Sequence, residues 1–183
     1  MGEPGRIHIR TERLVLREPR LDDLDGWAAF MADERSMRYL GGPEPRAVAW
    51  RALMGNAGAW ALQSFNLFAV EERATGRWVG RVGPLHPEGW PGDEVGWGIL
   101  REFEGRGYAT EAAAAAVDWA FETLGWTDVI HCIDPGNTGS QAVARRIGSR
   151  PRGPGRLPAP FADDPIVIWG QTRDEWRAAV AAG

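Results

Sequence analysis

Residues 104–116 read EGRGYATEAAAAA, two glycines around an arginine followed at once by a helix-forming run. Five successive alanines predict a helix, because Ala has the highest intrinsic helix propensity. No Ser, Thr, Asp or Asn with a Glu or Gln three residues later stands at its start. The first amides of this helix therefore lack a side-chain acceptor. A strand ending at Leu100, a loop with Gly105 and Gly107 and a helix N-terminus present several backbone N–H groups to one point. Such a turn binds anions, phosphates above all. Glycine lets the backbone approach the ligand and adopt positive φ. The plainer reading is a structural turn. Both familiar nucleotide loops fail: the chain has no lysine for GxxxxGK[ST], and Thr110 stands where the third glycine of GxGxxG belongs.

Composition narrows the classes. At 183 residues the chain suits one well-cored domain, expected here to span 1–183. All 21 basic residues are arginine, which excludes a Schiff-base lysine. A net charge of −4 argues against a nucleic-acid partner and suits a cationic one such as an amine. No apolar stretch reaches the roughly 18–20 residues of a membrane span, and MGEPGRIHIRTERL has no secretory apolar region. No membrane partner is expected. One cysteine, Cys132, fits a reducing cytoplasm.

The elements that must position the loop follow from periodicity. RLVLRE (13–18) alternates as a half-buried strand. A helix starts at Leu21, and a second covers 46–62. Strands follow at 66–71, 77–83 and 94–100, the first two joined by the turn RATG. The alanine helix covers 109–124, with Ala113, Ala116, Val117, Ala120, Phe121 and Leu124 as its apolar stripe and Glu111, Asp118 and Glu122 opposite. DVIHCI (128–133) is a strand and SQAVARRIG (140–148) a short helix. The segment 151–160 is a Pro/Gly-rich loop with room for a short strand. A last strand (165–171) and a terminal helix (173–182) complete an α/β (α+β) domain with a mixed sheet.

Glu104-Gly105-Arg106-Gly107-Tyr108-Ala109 resembles the acetyl-CoA pyrophosphate loop of the GNAT superfamily of N-acetyltransferases, Gln/Arg-x-x-Gly-x-Gly/Ala. GRGYATEA after VGWGILREFE is similar to the RimJ/RimL-type branch, as are RTERLVLRE, the stretch from Asn137-Thr138-Gly139-Ser140 to RRIG, and IWGQTRDEW. Glu104 departs from the motif. An acid there would repel a pyrophosphate, so its side chain is expected to point to solvent. The resemblance implies a mostly antiparallel twisted sheet flanked by helices, acetyl-CoA as co-substrate, no metal, and a primary amine as acceptor. It places the pyrophosphate on Gly105, Arg106, Gly107, Tyr108, Ala109 and Thr110. It places the pantetheine arm along EVGWGIL, held by Trp97, Ile99 and Leu100. Asn137 would hydrogen-bond that arm, and Ser140 would take the position that protonates the departing thiolate; otherwise the two residues make a turn and a helix cap.

Glu94, entering that strand, is the candidate general base, or else a solvated strand-end carboxylate. His86 and His131 stand behind it. Cys132 reads as a buried structural thiol. The acceptor groove is expected from residues 21–62 and 151–160, with Trp27, Trp60, Trp90 and Phe161 as wall residues or plain core. The branch suggests the α-amine of a protein or peptide N-terminus. The alternatives are a small amine (polyamine, amino-acid derivative or aminoglycoside) and a catalytically silent acyl-CoA-binding module. Either a monomer or a homodimer fits.

Overall fold

The computed structural model describes residues 6–182. Its elements are β1 (Ile7–Arg10), β2 (Leu14–Arg17), α1 (Leu24–Ala32), α2 (Glu34–Met37), α3 (Arg46–Gln63), β3 (Phe68–Glu72), β4 (Trp78–Leu85), β5 (Glu94–Ile99), α4 (Tyr108–Thr123), β6 (Asp128–Ile133), α5 (Thr138–Arg146), β7 (Arg150–Gly155), β8 (Ile166–Thr172) and α6 (Arg173–Ala182). One eight-stranded sheet runs β1-β2-β3-β4-β5-β6-β8-β7. All neighbours are antiparallel except β5 and β6, which are parallel and joined through α4. Among the described residues no helix is long and apolar enough to cross a membrane.

Alternation along the strands gives the sheet two apolar faces. Leu14, Leu16, Phe68, Val70, Val95 and Ile99 pack with α4 on one of them. The helix meets them with its smallest residues: Ala112, Ala113, Ala116, Val117 and Ala120 are completely buried. Short side chains bring the helix axis close to the strands, so the start of α4 sits directly over the end of β5. Asp118 and Glu122, opposite this stripe, stay exposed but tie α4 to the last helix. Asp118 accepts from the Trp176 indole and Glu122 pairs with Arg177, so α6 lies along that side.

On the other face Trp27, Phe30, Met31 and Leu53 of α1 and α3 form a second cluster. Phe30 comes so near β5 that a Cβ on Gly98 would lie 2.6 Å from its ring. The start of α1 is fixed by charge. Arg17, buried on β2, donates to both oxygens of Asp23 and to Glu71, which also accepts from Arg20.

Two elements, β1 and α2, differ from the sequence reading, and the short strand allowed within 151–160 is present. β1 was not expected, because IHIR is a four-residue edge strand with little apolar signal. α2 is a single turn, capped by Asp33 accepting from the Ser36 amide. Within 151–160 the first half is strand β7, and its prolines are tolerated because β7 pairs only with β8.

The Phe30–Gly98 contact predicts that Gly98→Ala costs about 1–3 kcal/mol through overpacking, read as a lower urea midpoint. Adding Phe30→Leu should return part of that loss. A Gly98→Ala protein of unchanged midpoint would show that the helix does not rest on this glycine.

Candidate active site

The parallel pair β5/β6 is in register only at Glu94 and Ile130, with the Ile130 amide donating to the Asp93 carbonyl at 2.8 Å. In a parallel ladder the next rung would join the Cys132 N–H to the Val95 carbonyl. Both groups are satisfied by side chains instead. The Cys132 amide donates to Glu94 Oε1 at 3.0 Å, and the Val95 carbonyl accepts from His131 Nδ1 at 2.6 Å. Beyond this point the strands part. Residues of β5 alternate in the direction of their backbone groups, so Trp97 and Ile99 turn N–H and C=O toward the opening while Gly96 and Gly98 turn theirs to β4. At Leu100 the amide donates to Val79 and the carbonyl accepts from Phe103, so one carbonyl lone pair remains for a ligand.

Past the opening, Arg101–Phe103 makes one 3-10 turn and the Gly-x-Gly loop enters α4. Gly107 holds φ +81 as the N-cap residue, without a side-chain cap. Among the described residues the amides of Gly105, Arg106, Gly107, Tyr108, Ala109 and Thr110 have no protein acceptor. Such a row of donors fits a diphosphate. Side chains fix it from below. Arg13 bonds Glu111 through backbone and guanidinium, donates to the Arg106 carbonyl at 2.8 Å and lies over the Tyr108 ring. Tyr108 is turned inward, its hydroxyl on Glu72, leaving only its amide for a ligand. Glu104 is exposed, as expected, but paired: its carboxylate meets Arg35 of α2 at 3.2 Å.

At the opposite side of the opening, Asn137 caps α5 by accepting from the Ser140 amide at 3.0 Å, which leaves its side-chain NH2 free. Ser140 Oγ accepts from the Trp97 indole at 3.2 Å and keeps its own proton to donate. Trp97 reaches across from β5, its ring 4.8 Å from that of His131. Trp97 thus ties Ser140 to the parted edge of β5, which runs on into the Gly-x-Gly loop. A groove of about 460 Å³ lined by Ala29, Asp33, Leu100, Arg101 and Glu102 lies instead beside α1.

The profile of the acetyltransferase (GNAT) domain family matches residues 13–150. The chain is a GNAT acetyltransferase. Enzymes of this family take the acetyl group from acetyl-CoA and place it on an amine. The crystal structure of the acetyltransferase from Agrobacterium tumefaciens str. C58 is 32% identical, with a TM-score of 0.79 over 94% of this chain and 96% of its own. YkkB of Bacillus subtilis (strain 168) is 36% identical over 149 residues, 79% of this chain and 86% of that protein. Mycobacterium smegmatis RimJ, solved with CoA-disulfide, is similar in fold at 22% identity, with a TM-score of 0.72 over 93% of this chain and 89% of its own.

In this acetyltransferase Glu94 is buried, and Oε2 accepts from the Trp90 indole at 2.5 Å. Burial pushes its pKa up, opposed by the hydrogen bonds from Cys132 and Trp90. One lone pair on each oxygen remains. His131 is committed on both nitrogens, donating to Val95 and accepting from Ser149 at 2.8 Å. His86 pairs with Asp93 at the surface. The Cys132 thiol is pushed up by burial and by the neighbouring Glu94 charge. Trp27 and Trp60 are core, 1% and 7% exposed. Trp90 serves Glu94, and Phe161 lies near Gly41, across from the loop after α2. Sequence reasoning missed Arg35 and the Arg13–Glu111 clamp, whose partners stand 69 and 98 residues apart and carry no local signal.

Desolvation holds the His131 pKa down at about 4, so the ring stays neutral above pH 5. Long-range ¹⁵N spectra should show the Nδ1–H tautomer with shifts constant between pH 5.5 and 8. A titration in that range would mean that the ring is open to solvent.

Proposed function

We propose that the chain acetylates a primary amine, most directly the α-amine at the N-terminus of a protein or peptide, with residues 1–183 acting as one acetyltransferase domain. The observation that carries this reading is the pairing of six acceptor-free amides at the start of α4 with the unpaired backbone edge of Trp97 and Ile99. The amides of Gly105–Thr110 receive the pyrophosphate. The pantetheine amides pair with Trp97 and Ile99 as an added strand would, while the Asn137 NH2 holds the arm from α5. Backbone N–H at the opening polarises the thioester carbonyl as the amine attacks. Glu94 takes the amine's proton, directly or through water, and Ser140 gives one to the departing sulfur. A thiol pKa near roughly 8.5 makes that last step a modest contribution. The resemblance to the RimJ/RimL-type branch favours an N-terminal α-amine over a small amine.

The direct test is CoA release from acetyl-CoA over matched panels of free-N-terminus peptides and small amines. Peptide turnover supports the reading. Turnover confined to small amines moves the acceptor class, and donor binding without turnover marks a silent binding module.

The loop assignment makes opposite predictions for two substitutions. Glu104→Gln removes a like charge and frees Arg35, so acetyl-CoA should bind about two- to fivefold more tightly, the scale of an exposed pair. Gly107→Glu should weaken binding at least tenfold with the circular dichroism spectrum retained. Calorimetry reads both, and equal dissociation constants would remove the loop from donor binding.

Glu94→Gln should lower kcat by about 100-fold if Glu94 is the base. The sign of the pH effect follows from its raised pKa. Below the α-amine pKa of roughly 8 log kcat/KM falls with slope one, and below the Glu94 pKa with slope two as the base is protonated as well. Glu94→Gln should keep slope one throughout. Ser140→Ala should cut turnover about three- to tenfold and leave the acetyl-CoA dissociation constant unchanged.

A further inference from the structure

Four arginines are not exposed: Arg17, Arg20, Arg81 and Arg173. Three are spent on the protein. Arg17 and Arg20 bond Asp23 and Glu71, and Arg173 bonds the carbonyls of Gly125 and Trp126. Arg81 has neither a hydrogen bond nor an ion pair to any described residue, and desolvation alone pulls its pKa down to about 10. Its guanidinium carbon rests 5.3 Å from the Trp27 ring centroid and 5.1 Å from that of Phe30. It remains a cation at neutral pH. None of its side-chain nitrogens is completely sealed from water. Holding a half-buried cation without a counter-charge works against stability, and here the protein supplies two rings and no carboxylate.

Its place in the sheet says what could come. Across β4 and β5, Arg81 stands opposite Gly98, Gly83 opposite Gly96, and Leu85 opposite Glu94. Alternate residues and directly opposed residues share a face, so Arg81 and Glu94 lie on one face with glycines between them. Phe30 covers Gly98, but a Cβ at Gly96 would meet only Leu85 and the Glu94 carboxylate. Gly83 is covered by Phe68 and Asn66, so the floor is uncovered at Gly96, next to Glu94. From Gly98 to Glu94 is four residues, about 13 Å at 3.3 Å per residue.

The geometry points to Arg81 as the residue that receives a carboxylate of the acceptor while the acceptor's amine lies at Glu94. This rests on the reading that the amine approaches over the Glu94 face. A backbone spacing of about 13 Å matches an acidic side chain at the second to fourth residue of an extended peptide, at 3.3–3.6 Å each, or the far carboxylate of a long amino acid. The planar guanidinium offers a two-pronged donor matched to a carboxylate. A doubly charged phosphate facing one half-buried cation would keep an uncompensated charge.

Two probes separate this inference from the reading beneath it. In the first, the Arg81 Nε–Hε resonance, identified by its loss in Arg81→Gln, is titrated with glutarate and with glutaramide. A saturable shift with glutarate alone is expected. In the second, CoA release is compared for C-terminally amidated tetrapeptides carrying Glu or Gln at positions two to four, and for 6-aminohexanoate against its amide. One set should show a preference of about 10–100-fold for the acid, the scale of a charge-assisted hydrogen bond. That preference should fall below threefold in Arg81→Gln and to an intermediate value in Arg81→Lys, with the acetyl-CoA dissociation constant unchanged in both. The responding set tells a side-chain carboxylate from a terminal one. No glutarate shift, a preference that survives Arg81→Gln, or weakened acetyl-CoA binding in that variant would each overturn the proposal. A lower urea midpoint with an unchanged acid preference would make Arg81 a structural residue. A glutarate shift without turnover on any amine upholds the anion site and overturns the acceptor reading instead.

Discussion

One missing rung between β5 and β6 governs the molecule. Where the Cys132 amide should meet the Val95 carbonyl, Glu94 takes the amide and His131 takes the carbonyl. A parted ladder inside a sheet would normally leave buried backbone groups unpaired, at about 1–3 kcal/mol for each. Here two side chains close those groups at the apex, so the strands separate without that penalty. Everything beyond the apex inherits the consequence: Trp97 and Ile99 keep a free edge, and the Trp97 ring can cross to Ser140. The carboxylate read as the general base is therefore also part of the scaffold, held by two donors.

The same economy applies at the start of α4. Six amides without acceptors would let a helix end fray, yet this end is held from outside the helix. Glu111 in its first turn is fixed by Thr11 and Arg13, and Arg13 also holds the Arg106 carbonyl. Glu111 serves the dipole as well, an acid near the positive end. Anchoring runs through side chains and carbonyls, so no amide is consumed.

How much of this was legible in the sequence divides by range. The Gly-x-Gly loop, its uncapped helix and the alanine stripe are local, and local pattern places α4 within one residue of its observed bounds, 109–124 against Tyr108–Thr123. Strand alternation likewise locates β3, β4, β5, β6 and β8. What escaped depends on distant partners. IHIR becomes a strand because β2 is there to pair with it. Glu104 looked awkward only because Arg35, 69 residues earlier, could not be brought to it from sequence. Trp27 and Trp60 have the composition of wall residues and the location of core, a difference that only packing decides.

β5 itself carries the deepest constraint. Its odd members Val95, Trp97 and Ile99 pack toward α4, and the backbone groups of Trp97 and Ile99 face the opening. Its even members Glu94, Gly96 and Gly98 face the side of α1 and Arg81. One six-residue strand therefore builds the donor edge and the floor opposite it through nothing more than the two-residue period of an extended chain. A slip of one residue would exchange the faces, bringing glycines to the α4 core and Trp97 against Phe30. The 2.6 Å approach at Gly98 forbids that register. The large core residues around the strand thus set the alignment on which the separation of the two sides depends.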